Sequence, residues 1–187
     1  MMKKSLSVII AMVGLTLTLD LSLSAQDEKI AGKLVYSELG GPGVIMSANF
    51  DSRFTSSTQL GFGYRLGVGF GIGRVKTTWV DNQWDYTYVE SLRRSYYTFP
   101  AGLNYIFGKP YSDHTFEVGA GVTFLTQKVS LYYYDVKKPG NLIGFFTFMY
   151  RYMPVNGGFL FRIGCTPIIG TSGDLCPMVA VGFGYAF

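Results

Sequence analysis

This 187-residue chain is bounded first by what it lacks. No run of five basic residues occurs and its 16 Lys and Arg are scattered, so the footprint of a nucleic-acid binder is missing despite a net charge of +4. His114 is the only histidine, so a Ser–His–acid site would have to form around that one position. No cysteine follows the apolar N-terminal run, which excludes a lipid-modified N-terminus. After Ala25 no long apolar, helix-like segment remains. If the mature chain lives in a membrane, it must do so as a closed barrel, the one spanning structure besides a helix that pairs all its backbone groups. Linker, second domain and low-complexity tail are also missing, which leaves one domain. Aromatics are not scarce: 14 Tyr and 15 Phe exclude a disordered composition.

The N-terminus reads as a processing segment. Lys3 and Lys4 precede an apolar run from Leu6 to Leu19, and small residues from Ser22 to Ala25 precede Gln26. That is the order of a secretory signal peptide cleaved after Ala25, with residues 26–187 as the mature domain. A retained anchor is the other reading, but the run falls short of the roughly 20 residues that a comfortable span requires.

What the chain does have is alternation. In LGFGYRLGVGFGIG, residues 60–73, every even position is apolar and every odd one is glycine except Arg65. Period two means a β-strand with two unlike faces. The pattern recurs over 44–51, 97–107, 116–125, 146–152, 159–166 and 179–187, and more weakly over 33–39. Eight strands are expected, joined up-and-down. Short connections (55–58, 108–113, 154–158) alternate with longer ones (74–94, 128–141), although GGPG at 40–43 and residues 171–175 are short on the long-loop side.

The second face decides which way the barrel is turned. It carries Gly, Ser, Thr and Asn with few charges, a poor solvent surface but a good lining for a narrow interior. The apolar face therefore points outward, toward lipid, and Arg65 points inward. A lone inward charge is costly, so partners are expected. If Asn156-Gly157 centres a two-residue type I′ turn, Arg151 falls opposite Arg162, both inward. Two facing guanidinium groups need an acid between them. Glu117 on the neighbouring strand is in reach, with Glu38 as a second candidate. The expected inner network is Arg65, Glu117, Arg151 and Arg162. It could gate a pore, or it could fill the barrel and fix its register. Eight strands leave room only for side chains, which favours filling.

Enzymatic chemistry finds little support. His114 sits beside an expected turn. Asp81, Asp85 and Glu90 share one loop at spacings too loose for metal or acid–base work. GFGYRLG has glycines but no following helix, so it is not a phosphate loop. Cys165 and Cys176 fall on opposite faces by parity; a bridge would need a bulge, and small apolar filler is the expected role. The 74–94 stretch carries Trp79, Trp84, Tyr86 and Tyr88, which form either a loop contact surface or the pairing aromatics of two strands extended beyond the membrane.

The last strand, VAVGFGYAF, steps through Val181, Phe183, Tyr185 and Phe187. This resembles the C-terminal signal that the barrel-assembly machinery reads. Together with the leader and the alternation, it makes the chain resemble a small outer-membrane β-barrel protein of Gram-negative bacteria. YSELGGPG, YRYMPVNGGFLFRIGCTP and GFGYAF resemble a recurrent subfamily of such barrels. The resemblance implies an all-β, single antiparallel transmembrane barrel of eight strands in the outer membrane. Its partners would be outer-membrane lipid and, during biogenesis, the assembly machinery. It would need no cofactor and carry a non-enzymatic, structural or surface-interaction role through its extracellular loops. A small porin-like transport or channel barrel is the alternative, and a soluble lipocalin-like ligand-binding barrel a more distant one. If the last strand is the assembly signal, Phe187→Asp blocks insertion. Normal accumulation of the folded variant in the outer membrane, read on fractionated membranes, would refute that assignment.

Overall fold

A computed structural model of the chain turns the period-two pattern into a barrel of eight antiparallel staves. The structure describes residues 30–56, 58–81, 86–129, 140–170, 173 and 175–187, so the expected leader and Trp84 lie outside the described residues. In chain order the strands are β1 (Lys33–Gly40), β2 (Met46–Arg53), β3 (Gly61–Asp81), β4 (Tyr86–Gly108) and β5 (His114–Val129). They continue with β6 (Gly140–Tyr152), β7 (Gly158–Cys165), β8 (Ile168–Ile169), β9 (Leu175–Cys176) and β10 (Val179–Ala186). The weakly patterned stretch at 33–39 is β1, and it closes the barrel by pairing with β10, Leu34 opposite Ala186.

β7 and β8 form one stave, and β9 and β10 another. Register is unchanged across each break: β6 sets Phe148 opposite Cys165 and Phe145 opposite Ile168. Likewise Cys165 faces Val179 and Ile168 faces Cys176. The breaks fall at Pro167 and Pro177, which have no N–H to give to a ladder. Pro100 leaves the same mark inside β4, where pairing with β3 steps from Leu66–Ala101 to Gly69–Thr98.

The two faces separate cleanly. Phe62, Leu66, Leu103, Phe148, Phe159 and Phe183 point outward and are exposed, while charged side chains are buried inside. The interior has three layers. At the terminal end, where the described chain begins and stops, Ala31, Leu34, Tyr36, Met153, Leu160 and Ala186 pack together. At the far end Tyr96, Leu125, Ile143, Phe145 and Ile168 pack with Val44, Cys176 and Met178 against them. Charged groups fill the middle.

The inward glycines make room for that middle layer. A Cβ on Gly182 would lie 2.7 Å from Arg162 Cγ, and one on Gly184 2.4 Å from Tyr36 Cβ. Neither contact involves a movable side-chain tip, so the stems of Arg162 and Tyr36 occupy the space that glycine leaves.

Two local features differ from expectation, and a third follows one of the two readings the sequence left open. First, GGPG is not a plain connection. Gly41–Gly43 forms a buried 3₁₀ turn folded into the far mouth. Thr98 Oγ1 donates to Gly43 O at 3.2 Å and Thr123 Oγ1 to Pro42 O at 3.0 Å. The chain then reverses through Val44 at φ 74° and ψ −71°, with Ile45 N–H donating to Gly43 O at 3.2 Å. That is a γ-turn of the strained hand, rare for a β-branched residue, and it delays β2 to Met46. Second, the Asn156-Gly157 hairpin keeps the expected register, but its turn is not type I′. Gly157 N–H closes on Pro154 O at 3.0 Å, and of the turn residues only Gly157 and Gly158 have positive φ. Third, the ladder of β3 and β4 continues through much of 74–94, with Trp79 opposite Tyr88 and Asp81 opposite Tyr86. Beyond Phe70, β3 no longer pairs with β2, so this part of the hairpin stands past the barrel wall on that side.

Crowding gives a direct test. Gly182→Val forces Arg162 to move and costs about 1–3 kcal/mol by overpacking, read as a lower urea midpoint. Gly144→Ala, whose added methyl would meet only Ile169, its Cβ at 3.8 Å and its O at 4.0 Å, changes the midpoint little.

Candidate functional site

Alternation aims one set of polar side chains from seven strands at the barrel axis. β1 supplies Tyr36 and Glu38, β2 Asp51 and Arg53, β3 Arg65, β4 Asn104, β5 Glu117, β6 Arg151 and β7 Arg162, all of them buried. They form one continuous ionic chain. Arg65 Nη2 donates to Glu38 Oε2 at 3.0 Å. The same carboxylate oxygen lies 3.8 Å from Arg162 Nε. Arg162 Nη2 donates to Glu117 Oε1 at 3.1 Å, and Arg151 Nη1 to Glu117 Oε2 at 2.8 Å. Arg151 Nη1 also reaches Asp51 Oδ2 at 3.4 Å. Asp51 in turn accepts from Arg53 Nη2 through Oδ1 and from Asn104 Nδ2 through Oδ2, the latter at 2.6 Å.

Of the four residues expected to form the network, three meet directly. Arg151 stands opposite Arg162 in the β6–β7 ladder, and Glu117 on β5 bonds both. Arg65 is not in that triad. It joins through Glu38, and its guanidinium lies 5.8 Å from the Tyr36 ring centroid and 5.6 Å from that of Phe145. Arg162 covers the Tyr36 ring more closely, at 4.6 Å. Desolvation makes every one of these charges costly alone; the alternation of acid and base keeps each within reach of an opposite charge.

Sequence reasoning did not single out Asp51, Arg53, Asn104 or Tyr36. The signal for Asp51 was its parity with Asn49 on the inward face of β2. One more step of two residues leads to Arg53, past the point where apolar alternation stopped. Asp51 also faces Arg65 in the β2–β3 ladder yet bonds Arg53 and Arg151 instead. Ladder neighbours alone would therefore have misassigned it.

The other candidates lie apart from this chain. His114 is exposed at the terminal end; its Nδ1 lies 2.6 Å from Tyr150 Oη, and Ser112 Oγ bonds its backbone rather than its ring. Asp85 and Trp84 are outside the described residues, and Asp81, Glu90, Trp79, Tyr86 and Tyr88 are described by backbone only. Cys165 and Cys176 are both free. Cys165 is exposed opposite Val179, whereas Cys176 packs against the far-end apolar layer. Along β10, Phe183, Tyr185 and the following Phe187 are exposed on the outer face, where Phe183 meets Phe161 at a centroid distance of 5.4 Å.

Fold and site together define a class: an up-and-down antiparallel barrel of eight staves with inverted polarity, apolar without and ionic within. A scan against family models found no match, and searches of curated proteins and of solved structures found no significant similarity.

Glu117 is the residue to remove. Glu117→Ala leaves Arg151 and Arg162 facing each other with nothing between, at a loss of roughly 3–5 kcal/mol. Adding Arg162→Ala recovers part of that loss, because the repulsion leaves with it. The measurement is a double-mutant cycle in urea on the refolded barrel. Additive effects would mean that the two side chains do not interact.

Proposed function

We propose that the chain is an integral outer-membrane β-barrel protein, non-enzymatic, with a structural or surface-interacting role carried by the loops at its far end. Inverted polarity is the observation that carries this reading. Phe62 is 64 % exposed, Tyr97 63 % and Leu103 58 %, whereas Arg65, Arg151 and Arg162 are at 1 % or below. In water that arrangement hides the charges and wets the oily wall, the reverse of what solvation favours. In a bilayer the outer wall meets hydrocarbon and the ionic chain stays within the closed ladder. Exposed aromatics near both rims support the same placement: Tyr97 and Phe99 toward the far end, Phe107, Phe116 and Phe159 toward the terminal end.

A channel needs a water path. The apolar layers at either end, the Gly41–Gly43 turn in the far mouth and the ionic chain between them argue against one. A lipocalin-like binder needs an apolar cavity where this barrel has its arginines.

Purified protein is expected to need detergent and to shift gel mobility on boiling. In planar bilayers it is expected to show no stable, large conductance. A species that stays monodisperse in plain buffer would overturn the membrane reading, and reproducible single-channel steps at physiological salt would put transport first.

A further inference from the structure

The ionic chain does not balance. Among the described residues, its buried cations are Arg53, Arg65, Arg151 and Arg162, and its buried anions are Glu38, Asp51 and Glu117. One positive charge is left over in a packed interior, where an uncompensated charge is strongly disfavoured. Arginine cannot shed its proton to relieve this.

Hydrogen bonding is unbalanced in the same sense. Arg53 is well served, donating to Asp51, Asn104 Oδ1 and Gly61 O. The other three arginines are not. Arg65 Nε and Nη1, Arg151 Nε and Nη2, and Arg162 Nε and Nη1 are buried without a hydrogen-bond partner, as is the Tyr36 hydroxyl. Unpartnered buried acceptors are fewer: Glu38 Oε1, Asn49 Oδ1, Gln59 Oε1 and Thr147 Oγ1. These three arginines are also neighbours. Arg162 shares Glu117 with Arg151 and Glu38 with Arg65, and both Arg65 and Arg162 lie over Tyr36.

We propose that the barrel encloses one small monovalent anion, of halide size, held by free guanidinium N–H groups of Arg65, Arg151 and Arg162. Water alone meets neither deficit. It carries no charge, and each water that accepts a donor brings donors of its own. A halide supplies the missing negative charge and accepts from several N–H groups at once. Larger anions such as phosphate do not suit an interior filled by side chains and closed by apolar layers at both ends. The site depends on the barrel interior and not on where the barrel resides.

Refolded full-length protein in detergent provides the test. Chloride is replaced by gluconate at constant ionic strength and the urea midpoint is followed; chloride, and equally bromide, should raise it along a saturating curve. Arg65→Met makes the chain neutral, and its midpoint should lose most of that halide response. Crystals of the wild-type protein grown in sodium bromide should show an anomalous peak among the three guanidinium groups. That measurement decides the matter even if the variant does not fold. A midpoint indifferent to halide with no interior bromide peak, bromide only on the outer surface, or an undiminished halide response in Arg65→Met would each overturn the proposal.

Discussion

Two guanidinium groups on adjacent strands can face each other in a dry interior only when a negative charge lies between them. Arg151 and Arg162 are held in that position by the β6–β7 register, and Glu117 reaches both from β5. Much else follows from this triad. It ties three consecutive staves at one height in the barrel. A slip of β5, β6 or β7 by one residue would turn its member outward and strand the others. Glu38 extends the constraint to β1 and β3, and Asp51 extends it to β2, so the register of the wall and the charge order of the interior specify each other.

The glycines of the inward face belong to the same constraint. An eight-stave barrel has room for side chains but not for all of them at full size. Arginine, glutamate and tyrosine at the axis are accommodated because Gly182 and Gly184 present no side chain beside them. The bare face that looks underfurnished along β3 is the volume that other strands fill.

Much of this was legible from the sequence, because a period of two assigns a face to every residue without any knowledge of the fold. The clear strands, the inward face of each and the Arg151–Arg162 register follow from alternation and one hairpin. The missing parts are those that alternation does not encode. Which inward residues meet across the axis depends on strand tilt and stagger, so Asp51 bonds Arg151, a hundred residues away, rather than its ladder partner Arg65. The inward fold of Gly41–Gly43 depends on Thr98 and Thr123, two hydroxyls from other strands that offer its carbonyls hydrogen bonds. The turn at Asn156-Gly157 shows that a dipeptide preference can set the register while the backbone takes another route through it.

The seam between β1 and β10 has a kinetic meaning. Lys33 and Phe187 exchange backbone hydrogen bonds in both directions, at 2.8 and 3.2 Å, so the described part of the wall is joined by its two ends. Contacts of such long sequence separation form late and slowly. Until the seam shuts, Glu38 stands on an open sheet in reach of solvent, apart from the Arg162 it later meets. Closure is therefore the step at which charges lose their water and gain one another together. The reverse step must open the wall before a buried ion pair can be rehydrated, so the ionic core protects the lifetime of the fold as well as its equilibrium stability.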